Sequence, residues 1–214
     1  EPDVKELDTF ISYCEKDTVL CKRIHNYFAR DIVEFQHMLN VNLEQLSALS
    51  FSQIVESFLL QNVREFNQII PTRPEEDTVR ERKHKKVKGA FVFDPKPGFY
   101  ENITVYDFTS LYPTVIAAHN ITKGTISAKG GKNYEQVPEQ DFYIRKEPRA
   151  FIPTIIEDIV TRRIRIKNML KNAHRNEIPA LKSRLQTLKI IANSLYGYLL
   201  FYMARWYSFE AGEA

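Results

Sequence analysis

Apolar residues recur three and four positions apart over the first third of the chain, which is the pattern of helices that bury one face. From Ser12 to Leu39 this spacing predicts one amphipathic helix. From about Leu43 to Phe66 it predicts a second helical stretch, broken near Ser50. Pro71 and Pro74 then end the regular structure, because proline lacks the backbone N–H that a helix interior needs.

The middle of the chain changes to strand and turn signals. A β pattern begins at Gly89 to Phe93, and Tyr100 to Phe108 is predicted to form a strand. Asp107 lies at the end of that strand, and a short helix is expected to begin near Pro113. Residues 129–150 contain a glycine pair and two prolines, and they are expected to form an irregular, surface-exposed connection.

The last third of the chain has the strongest helical pattern. One helix is predicted from Pro153 to Ala173, with Pro153 at its first position, where a missing N–H costs nothing. Asn176 and Pro179 indicate a turn, and a further helix is predicted from about Ala180 to Leu195 or beyond. The two helices are therefore expected to form an antiparallel hairpin.

The segment from Pro74 to Lys88 has almost no apolar residues. Such a segment is either a solvated linker or a basic loop that contacts a nucleic-acid backbone. The composition favours the linker, because charge runs in proteins usually face solvent. The sequence leaves the basic loop open as the alternative.

The composition is that of a globular protein. Of the 214 residues, 43% are hydrophobic and 27% are charged, which excludes a mainly disordered or fibrous chain. No apolar run approaches the ~20 residues of a membrane span, so no membrane partner is expected. Cys14 and Cys21 fall within the first predicted helix and are expected to be buried or half-buried free thiols. Glu1 is not an initiator methionine, so the sequence is expected to be a piece of a longer chain.

The formal net charge of +3 hides an uneven distribution. Residues 1–144 contain 17 Lys and Arg and 21 Asp and Glu, whereas residues 145–214 contain 13 and 6. Within residues 161–189 there are nine basic residues and one acidic residue, Glu177. A positive charge concentrated in one short segment predicts a polyanion as the partner.

Asp107 is the first candidate for chemistry. A carboxylate at a strand end, next to the free N–H groups of a helix N-terminus, can hold Mg²⁺ while the N–H groups hold phosphate. The alternative is an acidic residue that only occupies a strand-to-helix turn. Thr109 or Ser110 is expected to cap the short helix that follows.

The predicted hairpin is the second candidate. Arg163 and Lys167 lie four residues apart and share a helix face, and Lys189, Asn193 and Tyr196 share a face of the next helix. Arginine suits bidentate phosphate binding, lysine supplies a point charge, and a phenol ring can stack on a base. The alternative is a solvated basic face beside a core tyrosine.

Four segments resemble the family B DNA polymerases. DFTSLYPTVI, which begins at Asp107, looks like motif A of that family, and KIIANSLYG, which begins at Lys189, looks like motif B. Phe151-Ile-Pro resembles the start of the fingers domain, and Tyr13-x3-Asp17 resembles the third motif of the 3′–5′ exonuclease domain. The order of the motifs, with a basic hairpin between A and B, makes the resemblance specific.

The resemblance implies a role for each matching residue. Asp107 binds the catalytic metal ions, assisted by the backbone carbonyl of Phe108. Tyr112 stacks under the sugar of the incoming nucleotide and excludes a 2′-hydroxyl. The residues implied to bind the nucleotide are Thr109, Ser110, Leu111, Tyr112, Arg163, Lys167, Lys189 and Asn193. The resemblance implies that Tyr196 and Gly197 border the base-pair pocket. It implies that Tyr13 and Asp17 belong to the exonuclease site, with Asp17 as a metal ligand. It also implies that Lys88 and Gly89 make weak contacts with DNA.

The resemblance also implies a fold and a domain order. The expected fold is α+β and helix-rich, with partial palm β-strands, an antiparallel helical fingers hairpin, and N-terminal helices from the end of the exonuclease domain. The expected domains are the exonuclease end at 1–40, a helical segment and linker at 41–88, a palm part with motif A at 89–150, the fingers hairpin with the start of motif B at 151–195, and a return to the palm at 196–214.

The implied function is that of the central part of a DNA-directed DNA polymerase. The complete enzyme transfers deoxynucleotides to a primer 3′ end by a two-metal mechanism, with Mg²⁺ as cofactor or Mn²⁺ in its place. The implied partners are primer–template DNA, deoxynucleoside triphosphates, and a sliding clamp or a motif C subunit. The expected location is the cytoplasm or nucleoid of a prokaryote, or the nucleus or viral factory of a eukaryote or virus.

Three departures from the family pattern limit the prediction. No Asp-Thr-Asp motif C occurs, so the chain alone is not expected to polymerise. No Asp-x-Glu motif occurs either, so Asp17 is one ligand of an incomplete site and exonuclease activity stays open. Val87 stands where the family often has a tyrosine that contacts the template. The alternatives are a non-catalytic nucleic-acid-binding homologue and one subunit of a split polymerase.

Overall fold

The structure, a computed structural model, describes residues 4–87 and 92–214. Within these residues the chain is mainly helical, with one small antiparallel sheet, as the α+β prediction requires. No helix of the described residues is long and apolar enough to cross a membrane. The elements in chain order are α1 (Val4–Leu39), α2 (Leu43–Ser47), α3 (Phe51–Asn62), α4 (Glu76–His84), α5 (Leu111–Ala118), a 3₁₀ turn (Lys123–Thr125), β1 (Ile126–Ser127), β2 (Tyr134–Gln136), β3 (Tyr143–Arg145), α6 (Phe151–Lys171), α7 (Ile178–Leu200) and α8 (Phe209–Glu213).

The first helix, α1, contains the predicted helical stretch and ends where the pattern predicts. Its C-terminal end packs in the core, where Phe35 and Leu39 are buried. Towards its N-terminus large apolar side chains such as Phe10 are exposed. Cys14 and Cys21 lie in this exposed part, so the prediction that they are buried was wrong. Helical spacing predicted the apolar face of α1 but not how much of that face has a neighbour.

The second predicted helical stretch is two helices, with the break near Ser50 confirmed. Ser50 is the N-cap of α3, and its side chain and that of Gln53 each accept a hydrogen bond from the other residue's backbone N–H. Asn42 and Gln45 form the same capping box at the start of α2. Each box satisfies N–H groups that would otherwise lack partners, which is why the chain restarts its helix there.

The segment predicted as a solvated linker is instead largely helical, because α4 occupies most of it. Acidic residues in its first turn and basic residues in its last turn suit the helix dipole. Arg82 fastens α4 to the C-terminal region: its Nη1 donates to the carbonyls of Tyr202 and Ala204, both at 3.1 Å. Its guanidinium also lies 4.5 Å from the ring centroid of Tyr207. None of the residues of α4 is buried, as expected of a solvated segment, but the helix was not predicted, because polarity along a sequence does not show that aromatic rings elsewhere will pair with the cations.

The predicted strand from Tyr100 to Phe108 is not a strand in the structure. Among the described residues no segment pairs with it, and Ile103, Val105 and Tyr106 are exposed. Alternating apolar residues give strand propensity, but a strand forms only where a neighbour accepts and donates its backbone hydrogen bonds. Gly89 to Phe91 of the other predicted β segment lie outside the described residues, and its last two residues are not in a strand.

Residues 129–150 are more regular than predicted. They contribute two strands to the sheet of order β1-β3-β2, in which both pairs are antiparallel and Ile144 of the central strand is buried. Asn120 ties this sheet to the helix that follows it. Its Nδ2 donates to the carbonyls of Arg145, Lys146 and Pro148, and its Oδ1 accepts from the Ala150 N–H at 2.8 Å. The prediction of an irregular connection missed this buried amide.

The predicted helical hairpin is present as α6 and α7, which pack together and are joined by residues 172–177. Helix α6 begins two residues before Pro153, so this proline is the third helical residue and not the first. Pro179 lies in the first turn of α7 rather than in the preceding turn. The interface of the hairpin is aliphatic, and α5 packs against both helices. Fully buried side chains in this part of the core are Ile152, Ile156, Ile159, Ile191, Leu195 and Leu199.

Candidate functional site

A cavity of about 610 Å³ lies between the segment that follows residue 106 and the two helices of the hairpin. It brings together residues more than 50 positions apart in sequence, because α5 packs against α6 and α7. Its lining residues are Asp107, Phe108, Thr109, Ser110, Leu111, Tyr112, Pro113, Arg163, Lys167, Lys189, Asn193 and Tyr196. Every residue that the sequence assigns to nucleotide binding therefore lines one cavity, which we call the motif A cavity.

The turn before α5 gives the motif A cavity its backbone shape. Ser110 is the N-cap residue of α5 and has left-handed backbone angles, φ 54° and ψ 53°. Its side chain makes no capping hydrogen bond, so the predicted capping role was wrong for this residue. The Thr109 carbonyl accepts a hydrogen bond of 3.0 Å from the hydroxyl of Thr114. Because helices leave their first N–H groups unbonded, Leu111 and Tyr112 present free N–H groups beside the cavity.

Arg163 is the buried cation of the motif A cavity. Only 8% of the residue is exposed, and its Nη1 donates a hydrogen bond of 2.6 Å to Ser110 Oγ. Its buried Nε has no hydrogen-bond partner among the residues that the structure describes, and burial lowers the pKa of the guanidinium. No carboxylate in the described residues pairs with it. A buried charge without a counter-ion is unfavourable, so this position favours an anion.

Three further polar side chains of the hairpin are also suited to bind an anion. Lys167 lies one turn after Arg163 on α6, and Lys189 and Asn193 lie one turn apart on α7. Both lysines are exposed, and neither forms an ion pair in the part of the chain that the structure describes. The cavity thus presents cations and an amide to one space, which is the donor set that binds phosphate groups.

Two aromatic rings form one wall of the motif A cavity. Tyr112 and Tyr196 stack with ring centroids 4.6 Å apart and an interplanar angle of 22°. The Tyr196 hydroxyl donates to the carbonyl of Gly212 at 3.3 Å, which ties the ring to α8. Burial raises the pKa of Tyr196, and the neighbouring Tyr112 raises it further, so the phenol stays a hydrogen-bond donor. The stack leaves Tyr112 about half exposed to the cavity.

Asp107 supplies the acidic group of the motif A cavity. It is exposed, and within the described ranges no other carboxylate lines this cavity. In the described ranges no group of three or more His, Cys, Asp or Glu side chains is placed to hold a metal ion. The Asp107 carboxylate and the adjacent Phe108 carbonyl are oxygen donors of the kind that Mg²⁺ takes.

Other predicted site residues lie away from this cavity. Tyr13 and Asp17 are one turn apart on the exposed part of α1, and neither lines it. Lys88 and Gly89 lie outside the described residues. Gly197 follows Tyr196 on α7, and a Cβ added there would meet no atom within 4 Å. The roles of these residues stay predictions.

Sequence reasoning missed a polar cluster that supports the end of α7. Tyr198 donates to Glu56 Oε2 at 2.8 Å, and Arg205 Nε lies 3.0 Å from Glu56 Oε1. Burial raises the pKa of Tyr198, and the hydrogen bond to Glu56 raises it further. Arg205 also donates to the carbonyl of Pro71 at 2.7 Å. These partners are more than 130 positions apart, so no local spacing indicates them.

Comparison with a protein-family model gives a match over most of the chain. The model of DNA polymerase family B matches residues 41–214. The matched range includes every residue that lines the motif A cavity.

Comparisons with individual proteins agree with that match. The chain is 30% identical to a DNA polymerase of Thermococcus gorgonarius over 97% of its own length and 27% of the relative's. It is 28% identical to a DNA polymerase of Archaeoglobus fulgidus over 98% of its length and 26% of the relative's. The solved structure of the family B DNA polymerase from the hyperthermophilic archaeon Pyrobaculum calidifontis is similar with a TM-score of 0.77 and 28% identity. That match covers 99% of this chain and 28% of the polymerase. The chain thus spans about a quarter of the length of these relatives.

Proposed function

The chain belongs to DNA polymerase family B, and we propose that its motif A cavity binds the triphosphate of an incoming deoxynucleotide for transfer to a primer 3′ end. The observation that carries the proposal is Arg163, a buried guanidinium that faces the N-terminal turn of α5 and pairs with no carboxylate of residues 4–87 and 92–214. The complete enzyme is proposed to act on primer–template DNA with deoxynucleoside triphosphates as substrates.

The phosphate groups are assigned to two sets of donors. On one side, the free N–H groups at the start of α5 and the Ser110 hydroxyl suit phosphate oxygens. On the other, Arg163, Lys167 and Lys189 neutralise the negative charge, and Asn193 adds an amide donor. Phosphoryl transfer depends mainly on positioning and charge stabilisation, and this donor set supplies both.

The metal proposal rests on oxygen donors. Asp107 is proposed to hold Mg²⁺ through its carboxylate, with the Phe108 carbonyl beside it. When bound, a divalent metal pair stabilises the attacking and leaving oxygens of a phosphoryl transfer. The role of this chain's residues is to fix the carboxylate opposite the cations, so that the reacting phosphate lies between them.

Sugar selection is assigned to Tyr112. Tyr196 covers one face of its ring, which holds the ring in place and leaves the rest of it towards the cavity. A rigid ring at the sugar position leaves no room for a 2′-hydroxyl, so deoxyribonucleotides are preferred. Tyr196 and Gly197 are proposed to border the new base pair.

The proposal is tested in a complete polymerase that contains this segment. Asp107→Ala is expected to abolish primer extension and to leave primer–template binding largely intact, because it removes the metal ligand without touching the basic hairpin. Asp141→Ala, which removes an exposed carboxylate outside the cavity, serves as the control and is expected to extend normally. Near-normal extension by the Asp107 variant would contradict the metal role.

A further inference from the structure

A second cavity of about 770 Å³ adjoins the motif A cavity and lies between α1, α6 and the first half of α7. The two cavities share Arg163, Lys167 and Lys189 as lining residues. The second cavity adds Arg30 from α1 and Lys182 from α7, and it includes no residue of the 107–113 segment. We call it the hairpin cavity. It extends the basic lining away from Asp107 and towards α1.

The charges around the hairpin cavity are strongly unbalanced. Its lining contains the three shared cations together with Arg30 and Lys182, and Asp31 is the one acidic residue among the described residues that line it. None of these five cations forms an ion pair within residues 4–87 and 92–214. The carboxylate of Glu34, which is also on α1, pairs with Arg184 at 3.0 Å. Its negative charge is therefore neutralised by Arg184 and not by these five cations. A concave surface with this balance concentrates anions.

Arg163 connects the two cavities. It is more than nine-tenths buried and lines both of them. Its Nη1 donates to Ser110, which lines the motif A cavity. A guanidinium has five N–H donors, so it can bind an oxyanion while keeping its bond to Ser110. Arg163 therefore contributes its positive charge to both cavities while it keeps its bond to Ser110.

We propose that the hairpin cavity is a site for pyrophosphate, the anion released by nucleotide transfer, with Arg30 and Lys182 as its own binding residues. The inference rests on the proposed function. In that reaction the primer 3′ oxygen bonds to the α-phosphorus and gives up its proton to solvent water. The bond from the α-phosphorus to the bridging oxygen breaks, and pyrophosphate leaves with the electron pair. Because Arg163, Lys167 and Lys189 line both cavities, the anion can move from one to the other without leaving a basic surface.

The test measures pyrophosphate and nucleotide binding separately, by calorimetric titration of the chain. The wild type is expected to bind pyrophosphate at two sites, the second more weakly because the sites share three cations, and the double variant Arg30→Met, Lys182→Met at one. The affinity of the double variant for dATP is expected to change less than threefold, because both residues lie outside the motif A cavity. The matched control, Lys171→Met with Arg175→Met, removes two cations from the same hairpin that line neither cavity, and it is expected to keep both pyrophosphate sites.

Several results would overturn the inference. These are a single pyrophosphate site in the wild type, two sites in the Arg30 and Lys182 variant, or orthophosphate binding as tight as pyrophosphate binding. The conservative variant Arg30→Lys is expected to retain the second site, which separates a lost charge from a damaged fold. Absence of dATP binding by the wild type would instead contradict the proposed function, while the pyrophosphate titration still reports on the hairpin cavity.

Discussion

Arg163 Nη1 donates a hydrogen bond of 2.6 Å to Ser110 Oγ, although the two residues lie 53 positions apart in sequence. This bond joins the middle of α6 to the turn before α5, so the buried guanidinium is fixed beside the helix N-terminus. A cation and free N–H groups held in one place form a preorganised anion site. Ser110 has left-handed backbone angles, not the extended angles of a usual N-cap, and its hydroxyl accepts a bond across the cavity while making no cap to its own helix.

Replacing Arg163 is expected to weaken dATP binding without lowering the thermal stability of the chain. Arg163→Met keeps an apolar stem and removes a buried charge that has no carboxylate partner in the described part of the chain, so the melting temperature should stay the same or rise. Affinity for dATP should fall about 10- to 100-fold, because a hydrogen bond to a charged group contributes about 1.5–3 kcal/mol. Thermal unfolding and calorimetric titration measure the two effects.

The control for that variant is Arg162→Met, one residue earlier on α6. Arg162 is largely exposed and pairs with Asp158 at 2.8 Å, so its loss should leave dATP affinity unchanged. A strongly lowered melting temperature together with unchanged dATP affinity in the Arg163 variant would show that the guanidinium is structural.

Removing the Tyr112 ring is expected to weaken discrimination between sugars. In a complete polymerase containing this segment, Tyr112→Ala opens space beside the cavity and should raise ribonucleotide incorporation relative to deoxyribonucleotide by about tenfold or more. Incorporation of the two nucleotides is measured by primer extension. Tyr106→Ala, an exposed tyrosine outside the cavity, is the control. Equal selectivity in wild type and Tyr112 variant would remove the sugar assignment.

Asn120 is expected to stabilise the segment that leads into α6. Its amide makes four hydrogen bonds to the chain leading into that helix, so Asn120→Ala should lower the free energy of unfolding by about 2–4 kcal/mol. Asn102→Ala is a matched control. Asn102 has a φ of 58°, close to the 59° of Asn120, but its side chain is exposed. Urea unfolding with equal losses in both variants would assign the effect to the backbone angle instead.

The sequence predicted the parts of the site that depend on spacing within one element. Arg163 and Lys167 on one helix, and Lys189, Asn193 and Tyr196 on the next, share faces because of helical periodicity, and the cavity contains all five. The motif resemblance assigned Asp107 to the same site, and Asp107 lines the same cavity. Family membership and the helix-rich fold are confirmed by the comparisons.

The parts that the sequence did not predict depend on distant partners. Residues 100–108 have the alternation of a strand but no pairing neighbour among the described residues. The α4 segment has the polar sequence of a linker, and only its contacts with distant residues show otherwise: Arg82 lies over the ring of Tyr207 and donates to carbonyls of the C-terminal region. The charges at the two ends of α4 were the one local signal that could have indicated a helix.

The central claim is that the motif A cavity recognises the triphosphate, and titration of the chain with dATP, dADP, dAMP and deoxyadenosine tests it most directly. Lys189→Ala is compared with Lys171→Ala, which removes a cation of the same hairpin outside the cavity. Affinity is predicted to fall with each phosphate removed, and Lys189→Ala should weaken dATP binding by about 1.5–3 kcal/mol without affecting deoxyadenosine. Equal affinity along the series, or unchanged dATP binding by the Lys189 variant, would contradict the account.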